Sequence, residues 1–136
     1  MNWKKITLPF FAICALATHL FADETNSAPL MKISAEEATK YLNLDVIVTG
    51  TVAHVAIRPG IVFLDMDKPY PDSPFTLVIF PAATNQFGNL KALRGASVEV
   101  TGTITNYHDH AEIVLKKKSQ LKVTSPAPTN APAMSH

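Results

Sequence analysis

Val46-Ile-Val-Thr-Gly-Thr-Val52 returns 52 residues later as Val98-Glu-Val-Thr-Gly-Thr-Ile104. Both copies alternate branched apolar and polar residues with a period of two, the pattern of a strand with one buried face. Each carries a glycine in its middle. Glycine weakens a strand, so a mid-strand glycine marks a bulge, a sharp bend or a close approach. Long strands that bend and serve both sides are what a small barrel needs. An accidental Val/Thr repeat or a duplicated hairpin would give the same letters. The seven-residue unit is too short for a solenoid.

Working outward, Asp45–Arg58 reads as one long strand and Ile61–Met66 as a second, after the turn at Pro59-Gly60. Pro69, Pro71 and Pro74 make 67–74 a loop. Phe75–Phe80 is a third strand. Phe87, Leu90 and Leu93 recur every third residue, which predicts a short helix within 81–94, weakened by Gly88. Ser97–Tyr107 is a fourth strand and Ala111–Lys116 a fifth, with Gln120–Val123 extending it. Upstream, Ser34-Ala-Glu-Glu37 is a capping box, so Ser34–Leu42 is a short N-terminal helix. The expected class is mainly β. A five-stranded barrel with a short helix between strands three and four has the order of an OB-fold.

The 136-residue chain allows one domain, and 47% hydrophobic with 17% charged residues can supply its core. Its ends read differently. Residues 1–22 have the basic start, apolar run and small residues of a secretory signal peptide, with cleavage after Ala22, or after Ala17. The apolar run is shorter than the about 20 residues a bilayer needs, so no stable membrane insertion is expected after cleavage. An uncleaved anchor would give the same pattern. After cleavage the mature chain would be secreted or periplasmic. From Asp23 on it holds ten Lys and Arg against eleven Asp and Glu, which excludes a polycation held to nucleic acid by bulk charge. Cys14 is the only cysteine and lies in the signal, which removes disulfides, thiolate metal sites and a cysteine nucleophile. Residues 23–33 read as a flexible lead, 34–124 as the domain, and the Pro/Ala-rich 125–136 as a disordered tail.

The folded stretch resembles the bacterial exported OB-fold nucleic-acid-binding family, found alone or fused to secreted nucleases. The matching pieces are Val48-Thr-Gly-Thr-Val52, Phe63-Leu64, Lys68-Pro-Tyr-Pro71, Phe75–Phe80, Leu93-Arg-Gly95, Val98–Gly102, Tyr107, Glu112-Ile113 and Ser119-Gln120. The turn departs from the pattern, with Asp109 where glycine is common, between His108 and His110. The resemblance implies binding of single-stranded nucleic acid or an oligonucleotide. OB barrels also take protein, peptide and oligosaccharide partners, so that class stays open.

Such barrels grip a strand with aromatic platforms and cations on strands two and three and the adjoining loops. The candidate nucleic-acid-binding residues are Arg58, Phe63, Tyr70, Tyr107, Lys116 and Lys118. Phe63 faces a ligand only if Val62, Leu64 and Met66 face the core; the opposite register buries it. Tyr70 either edges the groove or packs on its neighbouring prolines. Tyr107 either stacks a ligand or caps the barrel rim. Lys116-Lys-Lys118 is the only basic run, a phosphate contact or a solvated strand end. His108 and His110, with His54, fall short of a three- or four-ligand metal set, and Asp65, Asp67 and Asp72 lack a calcium-loop pattern. No cofactor is expected. Staphylococcal-type nucleases share the barrel but need two arginines and several carboxylates converging. Here Arg58 and Arg94 stand far apart, and no catalytic motif is present, so a monomeric non-enzymatic binding module is expected.

Overall fold

The alternation read along 45–58 forms a 14-residue strand, and its two ends serve different neighbours. The computed structural model describes residues 28–129. Its strands are β1 (Lys32–Ser34), β2 (Asp45–Arg58), β3 (Ile61–Met66), β4 (Phe75–Ile79), β5 (Ser97–Thr103), β6 (Thr105–Tyr107), β7 (His110–Leu115) and β8 (Leu121–Ser125). The first half of β2 pairs antiparallel with β5, and its second half with β3. β1 lies parallel to β2 over 47–49, on the edge that β5 leaves free.

The sheet runs β6-β7-β4-β3-β2-β5-β8, with β1 beside β2. This corrects the expected five-stranded closed barrel: the described residues form eight strands, and their sheet is open. The physical reason lies at Ile104. The expected fourth strand breaks there into β5, paired with β2, and β6, paired with β7. Ile104 itself is fully buried. The two arms of the sheet, β6-β7-β4 and β5-β8, are thus joined at this end by one residue of chain rather than by a strand ladder. β4–β7 is parallel, like β1–β2, and the remaining ladder pairs are antiparallel. The arrangement is OB-like, with β1 and β8 covering edges that would otherwise stay unpaired.

The core sits between the arms. Val46, Val48, Val52, Leu64, Met66, Phe75, Leu77, Ile79, Val98, Val100, Ile113 and Leu115 form it. The N-terminal helix is a 3-10 helix, Ala35–Tyr41, that buries Ala35 and Ala38. Its capping box is present: Ser34 N donates to Glu37 Oε2 at 3.3 Å. The expected helix within 81–94 is split into α1 (Pro81–Thr84) and a 3-10 turn at Leu90–Leu93. Lys32 and Ile33, read from sequence as flexible lead, form β1, and Ile33 is in the core. Ser125 closes β8 opposite Ser97, and Ala127 packs on the core. Residues 1–27, which include the expected signal peptide, and residues 130–136 lie outside the described residues.

Neither repeated glycine is a bulge. The shift in β2 register falls between Val52 and His54, so Ala53 is the extra residue. Gly50 and Gly102 mark close approaches instead. A Cβ on Gly50 would come within 2.9 Å of Met66 Cε and Asp67 Oδ1, and one on Gly102 within 2.8 Å of Ile113 Cγ2.

Candidate binding groove

The extra residue at Ala53 reverses the parity of β2. Before it, Val46, Val48 and Val52 point inward; after it, Val55 does. His54, Ala56 and Arg58 therefore turn to the outer face. β3 follows the first of its two open registers. Val62, Leu64 and Met66 are buried in the core, and Phe63 and Asp65 face outward opposite Ala56 and His54. On β7, Ala111, Ile113 and Leu115 point in, which leaves His110 and Glu112 outside.

These outward residues line one groove of about 680 Å³. Its floor includes a row across four strands, His54–Asp65–Thr76–Glu112, set by the pairing register. One wall is the proline-rich loop with Pro69 and Tyr70; the other is the β6–β7 turn with Tyr107 and His108. The Tyr70 and His110 rings lie 5.7 Å apart, and His108 meets Tyr107 edge-on at 4.3 Å. His108 and Asp109 both take positive φ, 48° and 64°. A two-residue hairpin turn between paired Tyr107 and His110 needs that geometry, which is why glycine is common there.

The proline-rich loop is pinned from below. Asp65 is buried, and its carboxylate accepts from Tyr70 N at 3.1 Å and Thr76 Oγ1 at 3.4 Å, with His54 Nδ1 at 3.3 Å. Asp67 Oδ1 accepts from Thr51 N at 2.8 Å. Buried Ser73 donates to Phe75 O and accepts from Met66 N, tying the far end of the loop to β3 and β4. Tyr70 is exposed, so it stands at the groove edge with its backbone fixed.

Burial raises the pKa of Glu112, and the nearby charge of His110 lowers it less. A raised folded-state value means its stabilising contribution is complete below the ordinary carboxylate pKa and is lost as pH rises through the folded value. Glu112→Gln should therefore melt higher than the wild type at neutral pH. At about pH 3, where both side chains are neutral, the two should melt alike. Thermal midpoints at the two pH values check this; a lower midpoint for the variant at neutral pH would contradict it.

Of the sequence candidates, Arg58, Phe63, Tyr70 and Tyr107 meet in this groove. Lys116 and Lys118 do not. Lys116 lines a second hollow of about 580 Å³ with Phe80, Gly102 and Gln120. Lys118 opens a 3-10 turn, and Gln120 Oε1 accepts from both Lys116 N and Lys117 N, so strand alternation ends at Leu115. Sequence reasoning missed Thr76 and Glu112 as groove residues and gave His54, Asp65, His108 and His110 no place in it. The alternation of Ala111, Ile113 and Leu115 was the signal for Glu112. Among the described residues no three His, Cys, Asp or Glu side chains gather as a metal site.

No protein-family model matches this chain, and no curated protein matches it. Solved structures do. An aspartyl-tRNA synthetase from Leishmania major Friedlin superposes with a TM-score of 0.53 at 13% identity, over 79% of this chain and 23% of that one. An aspartyl-tRNA synthetase from Entamoeba histolytica gives 0.52 at 17%, over 72% and 22%. An OBody bound to hen egg-white lysozyme gives 0.50 at 15%, over 68% and 91%. This chain therefore spans less than a quarter of either synthetase. At these identities the likeness shows the OB-like fold.

Proposed function

We propose that this is an exported, monomeric, non-catalytic OB-fold module that binds single-stranded nucleic acid along the groove between Tyr70 and Tyr107. The observation that carries the reading is the meeting of Phe63, Tyr70, Tyr107 and Arg58, from four separate stretches of chain, in one groove. Aromatic faces with a nearby cation are what a single strand stacks on. The fold likeness to two enzymes that act on tRNA supports the same ligand class. The apolar signal-like start supports export. A second reading, a protein, peptide or oligosaccharide partner on the same face, draws on the near-zero net charge and on the OBody, which is bound to a protein.

Salt separates them. Labelled single-stranded oligonucleotides titrated at two salt concentrations should bind more weakly at the higher one, with a slope of about 0.7 per phosphate contact. Tyr70→Ala should weaken binding at both, by about 1–3 kcal/mol if the ring stacks a base. Arg58→Ala should act mainly at low salt. Absence of binding at low salt and high micromolar protein would remove the nucleic-acid reading and leave the second.

A further inference from the structure

The groove floor holds two carboxylates in one register row, and their surroundings differ. Asp65 is sealed: its oxygens face Tyr70 N, Thr76 Oγ1 and His54 Nδ1. Glu112 is only partly buried, and among the described residues no donor hydrogen-bonds or ion-pairs with its side chain. Its neighbour Thr105 donates to the Glu112 backbone carbonyl, and Thr76 is turned to Asp65. Arg58 is too far along the register to serve it. It lies four residues further along β2 and three strands across, roughly 13 Å and 14 Å on a flat sheet. Glu112 is thus an acceptor held toward an aromatic-walled groove without a partner of its own. Leaving such a group half-dehydrated carries a cost that a ligand's donors would relieve.

Resting on the nucleic-acid reading above, we infer that Glu112 reads the base stacked between the two walls, and that it selects guanine. An ionised carboxylate accepts and cannot donate. Bases of single strands are read on their Watson–Crick edges. Guanine offers two adjacent donors there, N1–H and N2–H, which one carboxylate takes together. Cytosine and adenine each offer one amino group beside an acceptor nitrogen. Thymine and uracil place a single N3–H between two carbonyl oxygens, which face the carboxylate with like charge. The expected order is guanine first, cytosine and adenine next, thymine last. Phosphate contacts add no such ranking, because they are the same for every sequence.

The test uses oligothymidylates with one central base changed to guanine, hypoxanthine, cytosine, adenine or left as thymine, at one fixed salt concentration. The purified protein should bind the guanine oligomer about ten- to a hundredfold more tightly than the all-thymine one. Hypoxanthine lacks the N2 amino group and should lose much of that gain. Glu112→Ala should remove the guanine preference, so that the guanine and hypoxanthine oligomers bind alike. Its thermal midpoint at neutral pH, expected at or above the wild type, verifies that the variant is folded. Equal binding of guanine and thymine by the wild type, or a guanine preference that survives in Glu112→Ala, would overturn the inference while leaving the nucleic-acid reading intact. Failure to bind any of the five would overturn both.

Discussion

Gly102→Val lowers stability by about 1–3 kcal/mol, the usual cost of forcing volume into a packed core. The midpoint of thermal unfolding drops by about 4–8 °C for each kcal/mol. The side chain at 102 points inward, in the same parity as Val98 and Val100, and Ile113 Cγ2 stands 2.8 Å from where even a Cβ would sit. Ile113 is buried on β7, and its β-branched side chain has few rotamers in which to retreat. Gly50→Val costs less. The atoms it meets first, Met66 Cε and Asp67 Oδ1, are the ends of side chains that can swing, although Asp67 then releases Thr51 N. A double-mutant cycle isolates the contact: Gly102→Ala should be tolerated better in an Ile113→Ala background than in the wild type. Equal penalties in both backgrounds would show that the glycine is needed for another reason.

Asp65→Ala is expected to cost about 2–4 kcal/mol, because buried donors lose their only charged acceptor at once. Thr76 Oγ1 and Tyr70 N are the two that suffer most; His54 is half exposed and regains water. Denaturant unfolding would read the loss. A second effect follows from Tyr70. With its backbone unpinned, the ring no longer forms a fixed wall, so oligonucleotide binding falls about as far in Asp65→Ala as in Tyr70→Ala. The two losses should not add in the double variant. Additive losses would mean that Asp65 serves the ligand by another route.

Much of this architecture is visible in the letters, and the reasons for the exceptions are specific. β2 and β3 have the predicted bounds because their alternation is long and ends at Pro59-Gly60. The capping box placed Ser34 at a helix start. Whether a seven-residue segment becomes an α-helix or a 3-10 helix is settled by packing, here of Ala35 and Ala38, rather than by its cap. β1 has three residues, too few for any period, and exists because β2 offers an edge. The break at Ile104 and the extra residue at Ala53 are invisible for a related cause. Both depend on partners distant in sequence, and a strand pattern records which residues are apolar, not where the neighbour changes. The bulge then decides the site, since it turns His54, Ala56 and Arg58 outward. Phe63, Tyr70 and Tyr107 were legible as aromatic residues beside turns. Lys116 and Lys118 were misplaced because alternation was carried past Leu115, where the Gln120 side chain takes the next two amides.

The single residue joining β5 to β6 also bears on the order in which this chain assembles. β2, β3 and β4 are sequential neighbours, with one two-residue turn and one loop between them, so their pairing closes short stretches of chain. The β2–β5 ladder must bring together residues as distant as Asp45 and Thr103, 58 apart, and β7 reaches β4 only across the 36 residues from Thr76 to Glu112. Closing the longer loop carries the greater entropic cost, and non-local pairing is slower. The groove spans this division. Phe63, Asp65 and Thr76 belong to the local meander, whereas Tyr107, His110 and Glu112 arrive with the late arm through Ile104. A ligand lying from wall to wall recognises only chains in which both have docked. It shifts the opening equilibrium by mass action, holding the long closure shut in proportion to how tightly it is bound.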